Sequence, residues 1–238
     1  MNIKKVSNLL KDIKTYTARC NHAYFILLSH ENKKLKPNSR VSFLIWNIPS
    51  IITCPYATDH CIQFCYARKT ELFRGETVTN SRQKHLEISR NPDFVDRMIF
   101  TISAELDRPI NKNKKVVFRI HESGDFYNRE YVKKWFDIMN YFKDDKRIVF
   151  VAYTKSVIFF DGLTIPENMY LLASVWDDTT PENLDIIRRN NFRIYTAFNK
   201  KDMKTALKNN YAFCPCKDCG SCGLCWNNYT NNIACQIH

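Results

Sequence analysis

The sequence predicts an α/β fold, an open partial barrel of about five to six parallel strands. Three observations predict it. From residue 115 onward, strand-like and helix-like segments alternate. The strand-like segments, such as "VVFRIHES" and "RIVFVAYT", are rich in β-branched and aromatic residues. The conspicuous polar residues fall at the C-terminal ends of those strands, where such folds gather their chemistry.

Taken in order, Val6, Leu9, Leu10 and Ile13 recur at helical spacing and predict an N-terminal amphipathic helix within a lead-in over residues 1–40. "VSFLIWNI" (41–48) reads as the first strand, ended by Pro49, and it opens the barrel region assigned to residues 41–210. Residues 65–89 read as polar helix. Residues 91–106 read as a better one, with Asn91 as N-cap and Pro92 at its first position. Strands follow at 116–123, 147–154, 169–176 and 192–198, with helices at 128–142, 181–190 and near 201–209. Asp178, Thr179 and Thr180 are candidate caps for the helix that opens at Pro181. Too few βα units are present for a closed eight-stranded barrel. Residues 211–238 form a cysteine-rich tail, read as an appendage that would cap the open mouth.

At 238 residues with 45% hydrophobic and 13% aromatic content, the chain is globular in composition. A formal charge of +12 and a pI near 9.2 suit nucleic acid, nucleotides or other anions, although runs such as "NKNKK" also fit a general Lys/Asn bias. "AYFILL" (23–28) is too short to span a bilayer, and the charged start lacks the apolar core of a signal peptide. No membrane partner is expected, and the chain reads as cytoplasmic. Thiols stay reduced there, so ten cysteines favour metal chemistry over disulfides.

Nine of the ten cysteines fall into two groups; Cys20 stands alone. Cys54, Cys61 and Cys65 follow the first strand with the spacing C-x₆-C-x₃-C. An odd set disfavours disulfides. Zinc would need a fourth ligand, and His60 is awkwardly adjacent to Cys61. A [4Fe–4S] cluster with one open iron needs only three thiolates. Zinc and cluster both stand at this point. The second group comprises Cys214, Cys216, Cys219, Cys222, Cys225 and Cys235. Its inner C-x₂-C-x₂-C run matches bacterial ferredoxin spacing and reads as iron–sulfur, with a Cys₄ zinc site as the rival.

"RIHESGDFY" (119–127) ends the second strand. Gly124 there would let backbone approach a ligand closely, and Asp125 would accept from an amino or ribose hydroxyl group. The plain alternative is a βα turn in which Asp125 caps the helix starting near Asn128.

"WNIPSIITCPYATDHCIQFCYA" (46–67) together with "RIHESGDFY" resembles the phage gene product 88 family. A three-cysteine loop after the first strand and a glycine–acid turn after the second also resemble the radical S-adenosylmethionine superfamily. That resemblance implies a [4Fe–4S] cluster on Cys54, Cys61 and Cys65. It also implies that Ser123, Gly124 and Asp125 lie against the methionine part of S-adenosylmethionine. Both loop intervals are longer than the superfamily's usual C-x₃-C-x₂-C.

The expected function is a radical S-adenosylmethionine-like enzyme with an unknown substrate, for which the basic charge suggests a nucleotide or nucleic acid, and an unnamed electron donor. Tyr153 and Lys155, ending the third strand, are the substrate-side candidates. The rivals are a non-catalytic metal-stabilised nucleic-acid-binding protein and a two-cluster redox protein.

Overall fold

A computed structural model describes residues 25–198, 211–215, 217–227 and 231–236. The expected N-terminal helix, the helix near 201–209, Cys20 and Cys216 lie outside the described residues.

The first strand, β1 (Val41–Trp46), leads into a loop that holds the first three cysteines. That loop contains a short helix absent from the sequence reading, α1 (Asp59–Gln63), capped by Thr58, whose hydroxyl accepts from Cys61 N (3.3 Å). The polar helix expected over 65–89 is two helices, α2 (Tyr66–Arg74) and α3 (Glu76–Arg90). They break at Gly75, whose φ of 63° lies outside the helical region. Next comes α4 (Phe94–Leu106), with Asp93 at its N-cap position. Asn91, read as that cap, instead terminates α3, its N–H donating to Ile88 O (3.1 Å).

The alternation then runs as expected: β2 (Lys115–Ile120), α5 (Arg129–Tyr141), β3 (Ile148–Thr154), a 3₁₀ turn (Val157–Phe160), β4 (Met169–Val175), α6 (Pro181–Arg189) and β5 (Arg193–Phe198). Asn128 caps α5 by accepting from Tyr131 N (2.8 Å), so Asp125 is not its cap. Thr180 caps α6, with Pro181 at its first position.

All strand pairings are parallel, and seven strands form one sheet in the order β1-β2-β3-β4-β5-β7-β6, curled into a half-barrel. The expected count was lower because the tail supplies two further strands. These are β6 (Ala212–Cys214) and β7 (Ile233–Gln236), separated in sequence by the one-turn helix α7 (Cys219–Cys222). β7 inserts between β5 and β6, pairing Thr196 with Ala234 and Cys214 with Cys235. The tail is therefore part of the sheet.

Alternation along the strands separates two cores. Leu44, Trp46, Phe118, Ile120, Phe150 and Ala152 face α4 and α5 and bury Phe94, Met98, Ile102, Tyr131 and Trp135. Phe43, Ile45, Val117, Val149, Val151 and Leu172 face the other way, against Cys225, Trp226 and Ile233 of the tail. Tail residues thus pack on the face of the sheet opposite α4 and α5.

Candidate metal centre

The first thiol group is built on the turn that leaves β1. Trp46 is fully buried; its Nε1 donates to Tyr131 Oη (2.9 Å) and its ring stacks on His85 at 4.1 Å. Asn47 follows and is a latch. Its Oδ1 accepts from Glu122 N (2.8 Å) and Ser123 N (3.0 Å), and its carbonyl accepts from His85 Nδ1 (2.8 Å). The turn after β2 is thereby tied to the turn after β1.

Gly124 completes that tie. Its φ is +82°, and a Cβ there would lie 2.6 Å from Thr53 Oγ1 and closer still to Ile48 Cγ1. The close approach that the sequence assigned to a ligand is made by Ile48 and Thr53, the residues leading into Cys54. Thr53 is itself buried and donates to Pro49 O (2.6 Å). Ser123, also buried, accepts from Ile48 N through its carbonyl (3.2 Å), and its hydroxyl reaches Glu71 Oε1 (3.4 Å).

Asp125 is buried and largely engaged. Oδ1 accepts from Phe126 N (2.7 Å) and Thr154 Oγ1 (2.7 Å), and Oδ2 from Lys155 N (2.9 Å). These bonds occupy three of a carboxylate's roughly four acceptor positions. Burial raises its pKa, while Thr154, the two backbone N–H groups and the Lys155 charge oppose the rise. Its work in this structure is to fix the end of β3.

Lys155, buried there, donates Nζ to Ser174 O (3.0 Å) and Oγ (3.2 Å). Burial lowers its pKa; Cys61, Asp125, Asp178 and Cys54 counteract this, so its ammonium faces the thiols. Burial raises the pKa of Cys54, with Asp125, Cys61 and Cys65 adding repulsion. Cys61 is raised by burial and opposed by Lys155. Cys65 sits at the N-cap of α2, its sulfur accepting from Arg68 N (3.4 Å). Burial thus disfavours the thiolate form of Cys54 and of Cys61, with one ammonium opposing it. A metal centre would supply the missing positive charge.

His60, the possible fourth zinc ligand, turns away. Its Nδ1 meets Asp177 Oδ1 (2.5 Å) and its backbone N–H donates to Asp178 Oδ2 (2.9 Å), joining the cysteine loop to the β4–α6 turn. Among the described residues, only His60, Asp177 and Asp178 bring three candidate ligand atoms within 4.8 Å of one another. No three described cysteines do so.

Sequence reasoning missed two supporting residues. Glu71 accepts from Ser50 N (2.9 Å), Ser50 Oγ (2.5 Å) and Arg82 Nη1 (2.7 Å), so one carboxylate clamps both flanks of the cysteine loop. The usable signal was Arg82, a charge placed among Leu86, His85 and Ser89 on the buried side of α3.

Cys214, Cys219 and Cys225 of the second group pack on the sheet face opposite α4 and α5. Cys214 and Cys222 lie close enough to Cys219 and Cys225 for their charges to raise the pKa values of those two. Burial pushes Cys219 up to about 12 and Cys225 up to about 11, and Arg119 opposes both shifts. Tyr153 Oη donates to Cys225 Sγ (2.6 Å), and the Arg119 guanidinium lies 3.7 Å from the Tyr153 ring centre. Tyr153 therefore faces the tail cysteines, whereas Lys155 faces the loop cysteines. Cys235 lies buried in β7 beside Cys214. The described cysteines form no disulfide.

With this geometry in view, a sequence model of the family described as Gene product 88 matches residues 26–228. The chain belongs to the gene product 88 family. The Gene 88 protein of Mycobacterium phage L5 is 29% identical over 200 residues, covering 75% of this chain and 80% of that protein. The Gene 88 protein of Mycobacterium phage D29 is 28% identical over 197 residues, covering 74% and 78%. No solved structure matches. The matched family region includes both cysteine-bearing segments, so the loop thiols, the Asn47 latch and most of the tail thiols all lie within it.

Proposed function

We propose that this gene product 88 family member is an iron–sulfur protein that binds a [4Fe–4S] cluster through Cys54, Cys61 and Cys65 and acts on S-adenosylmethionine. The observation that carries the reading is the gathering of three loop thiols beside the buried Lys155 ammonium, at the C-terminal ends of parallel strands. The number of loop thiols fits a cluster with one open iron, which needs three thiolates, better than structural zinc, which takes four ligands, and His60 is engaged by Asp177 and Asp178 instead of completing a zinc set.

The assignment of S-adenosylmethionine rests on the resemblance of the two motifs and on their places after β1 and β2. A cluster with one open iron would supply an electron to bound S-adenosylmethionine and release methionine and a 5′-deoxyadenosyl radical. The chain's own residues have simpler tasks. Lys155 offsets the charge of the thiolates, Asp125 holds the Lys155 backbone, and the Glu71–Arg82 pair keeps the two flanks of the loop together. Ser123 and Gly124 support the loop from below.

A second reading, electron transfer without S-adenosylmethionine cleavage, is favoured by Arg119. Its charge acts on the tail thiols and also on Tyr66, the neighbour of Cys65, and so spans the ground between the two groups.

Iron, sulfide and zinc are measured in protein purified without oxygen, for the wild type and for Cys54→Ser, Cys61→Ser and Cys65→Ser. The cluster reading expects each variant to lose about four irons with matching sulfide. Zinc without sulfide in the wild type overturns it. Production of 5′-deoxyadenosine after reduction with S-adenosylmethionine separates the enzyme from the electron carrier.

A further inference from the structure

At the opposite end of the strands from the loop thiols, a cleft of about 510 Å³ opens between the sheet and the tail. Its volume falls in the ligand-sized range of roughly 300–1,000 Å³. Arg40 and Lys115 line one side, Tyr170 and Trp226 give apolar walls, and Ser221 and Asn227 add polar groups. No lining residue is acidic.

The cations are placed by the sheet. Val41 and Lys115 are register partners, and Lys115 N donates to Arg40 O (2.9 Å), so the two side chains leave adjacent strand starts. Lys115 Nζ reaches Lys146 O (3.2 Å), bringing a third cation to the same rim. None of the three has an ion-pair partner among the described residues. Burial and the Lys146 charge both lower the Lys115 pKa, the response of an ammonium that lacks an anion.

The tail wall is fixed in place. Cys219 N donates to Lys34 O (2.9 Å), and a Cβ on Gly220 would lie 2.6 Å from Lys36 O, so α7 lies directly on the 34–38 segment. Trp226 packs edge-on against Phe43 at 5.6 Å. The cleft is far larger than inorganic phosphate needs, and it pairs cations with apolar walls.

We propose that this cleft binds a nucleotide unit, with Arg40 and Lys115 on its phosphate and its base between the Tyr170 and Trp226 side of the cleft. The unit comes either as a free nucleotide or as part of a single strand. The chain's charge of +12 raises the local concentration of either. The site is separate from the loop thiols and does not depend on the function proposed for them.

The test uses the full chain with its metal content intact. Anisotropy of a short fluorescein-labelled oligothymidylate is followed during salt titration and in competition with AMP and with inorganic phosphate. Arg40→Gln and Lys115→Gln are each expected to weaken binding about tenfold and to lower the salt slope by about 0.7, the value for one phosphate contact on a single strand. Lys84→Gln and Lys133→Gln, exposed on α3 and α5, are expected to stay within about twofold of wild type, as general surface charge would. AMP that displaces the strand identifies a free nucleotide as the ligand; strand binding resistant to AMP identifies nucleic acid. Equal losses in all four variants overturn the proposal. So does inorganic phosphate competing as well as AMP, because the base would then have no place in the cleft. Arg40 is exposed, so Arg40→Gln carries the test even if Lys115→Gln disturbs the fold.

Discussion

Replacing Gly124 with alanine separates two explanations of one glycine. If Gly124 exists to let a ligand approach, Gly124→Ala leaves the ligand-free protein intact and damages only binding. The structure gives a different account. At φ +82° a side chain costs about 1–2 kcal/mol. The added methyl must also displace Thr53 Oγ1, 2.6 Å away, the neighbouring Ile48 side chain and the Ile48 carbonyl at 3.0 Å, and such overpacking costs roughly 1–3 kcal/mol. The sum is centred near 3–4 kcal/mol. At about 2–4 °C per kcal/mol for a chain of this size, the melting temperature should fall by roughly 6–16 °C. Thr53 immediately precedes Cys54, so the iron content of the variant should fall as well. The assay is thermal unfolding of metal-free protein followed by circular dichroism, with iron analysis of reconstituted samples. A melting temperature within about 2 °C of wild type would refute the packing argument and restore the ligand argument.

Three further outcomes are expected. His121 is buried at φ 60°, bonded through Nε2 to Tyr131 Oη, and burial with the nearby Arg119 charge holds its pKa down to about 3. The unfolded chain therefore binds the extra proton first, and stability falls as pH drops below about 6.5, by roughly 2 kcal/mol on reaching about pH 5. His121→Asn, which tolerates the left-handed backbone, should flatten that part of the stability–pH curve; parallel wild-type and variant curves would contradict the assignment. Glu71→Ala strands the buried Arg82 guanidinium and frees Ser50, and urea titration should register a loss of about 3 kcal/mol. Tyr153→Phe removes the hydrogen bond to Cys225 Sγ; were the tail thiols to hold an iron–sulfur cluster, its reduction potential would fall by roughly tens of millivolts, and an unchanged potential would count against a cluster on Cys225.

The βα alternation, the Thr180 cap and the two cysteine groups were legible in the sequence because each is a local pattern. Strand residues repeat every two positions, helix residues about every 3.6, and a cap sits beside the turn it closes. The same locality explains the failures. β6 and β7 are three and four residues long, too short for a period to register, and both depend on pairing with partners elsewhere in the sheet. Asn91 reads as a cap at one helix start, yet it closes the preceding helix, a choice made by how α3 and α4 meet.

The site divides along the same line. The sequence alone determined that three thiols share one loop, that a glycine–acid turn follows the next strand, and that most of the remaining cysteines crowd the tail. Only the tertiary structure decided what each neighbour does. Asp125 meets Thr154 across 29 residues, His60 meets Asp177 across 117, and Tyr153 meets Cys225 across 72. Each of these contacts uses a polar group that the sequence had offered to a ligand or a metal. For Asp125 and Tyr153 the reason is burial, because a buried carboxylate or hydroxyl left without a partner costs more than the bond it forms; the His60–Asp177 pair is exposed and tethers the loop at the surface. The loop thiols remain gathered and half-buried beside a single ammonium, and that is the feature on which the proposed cluster rests.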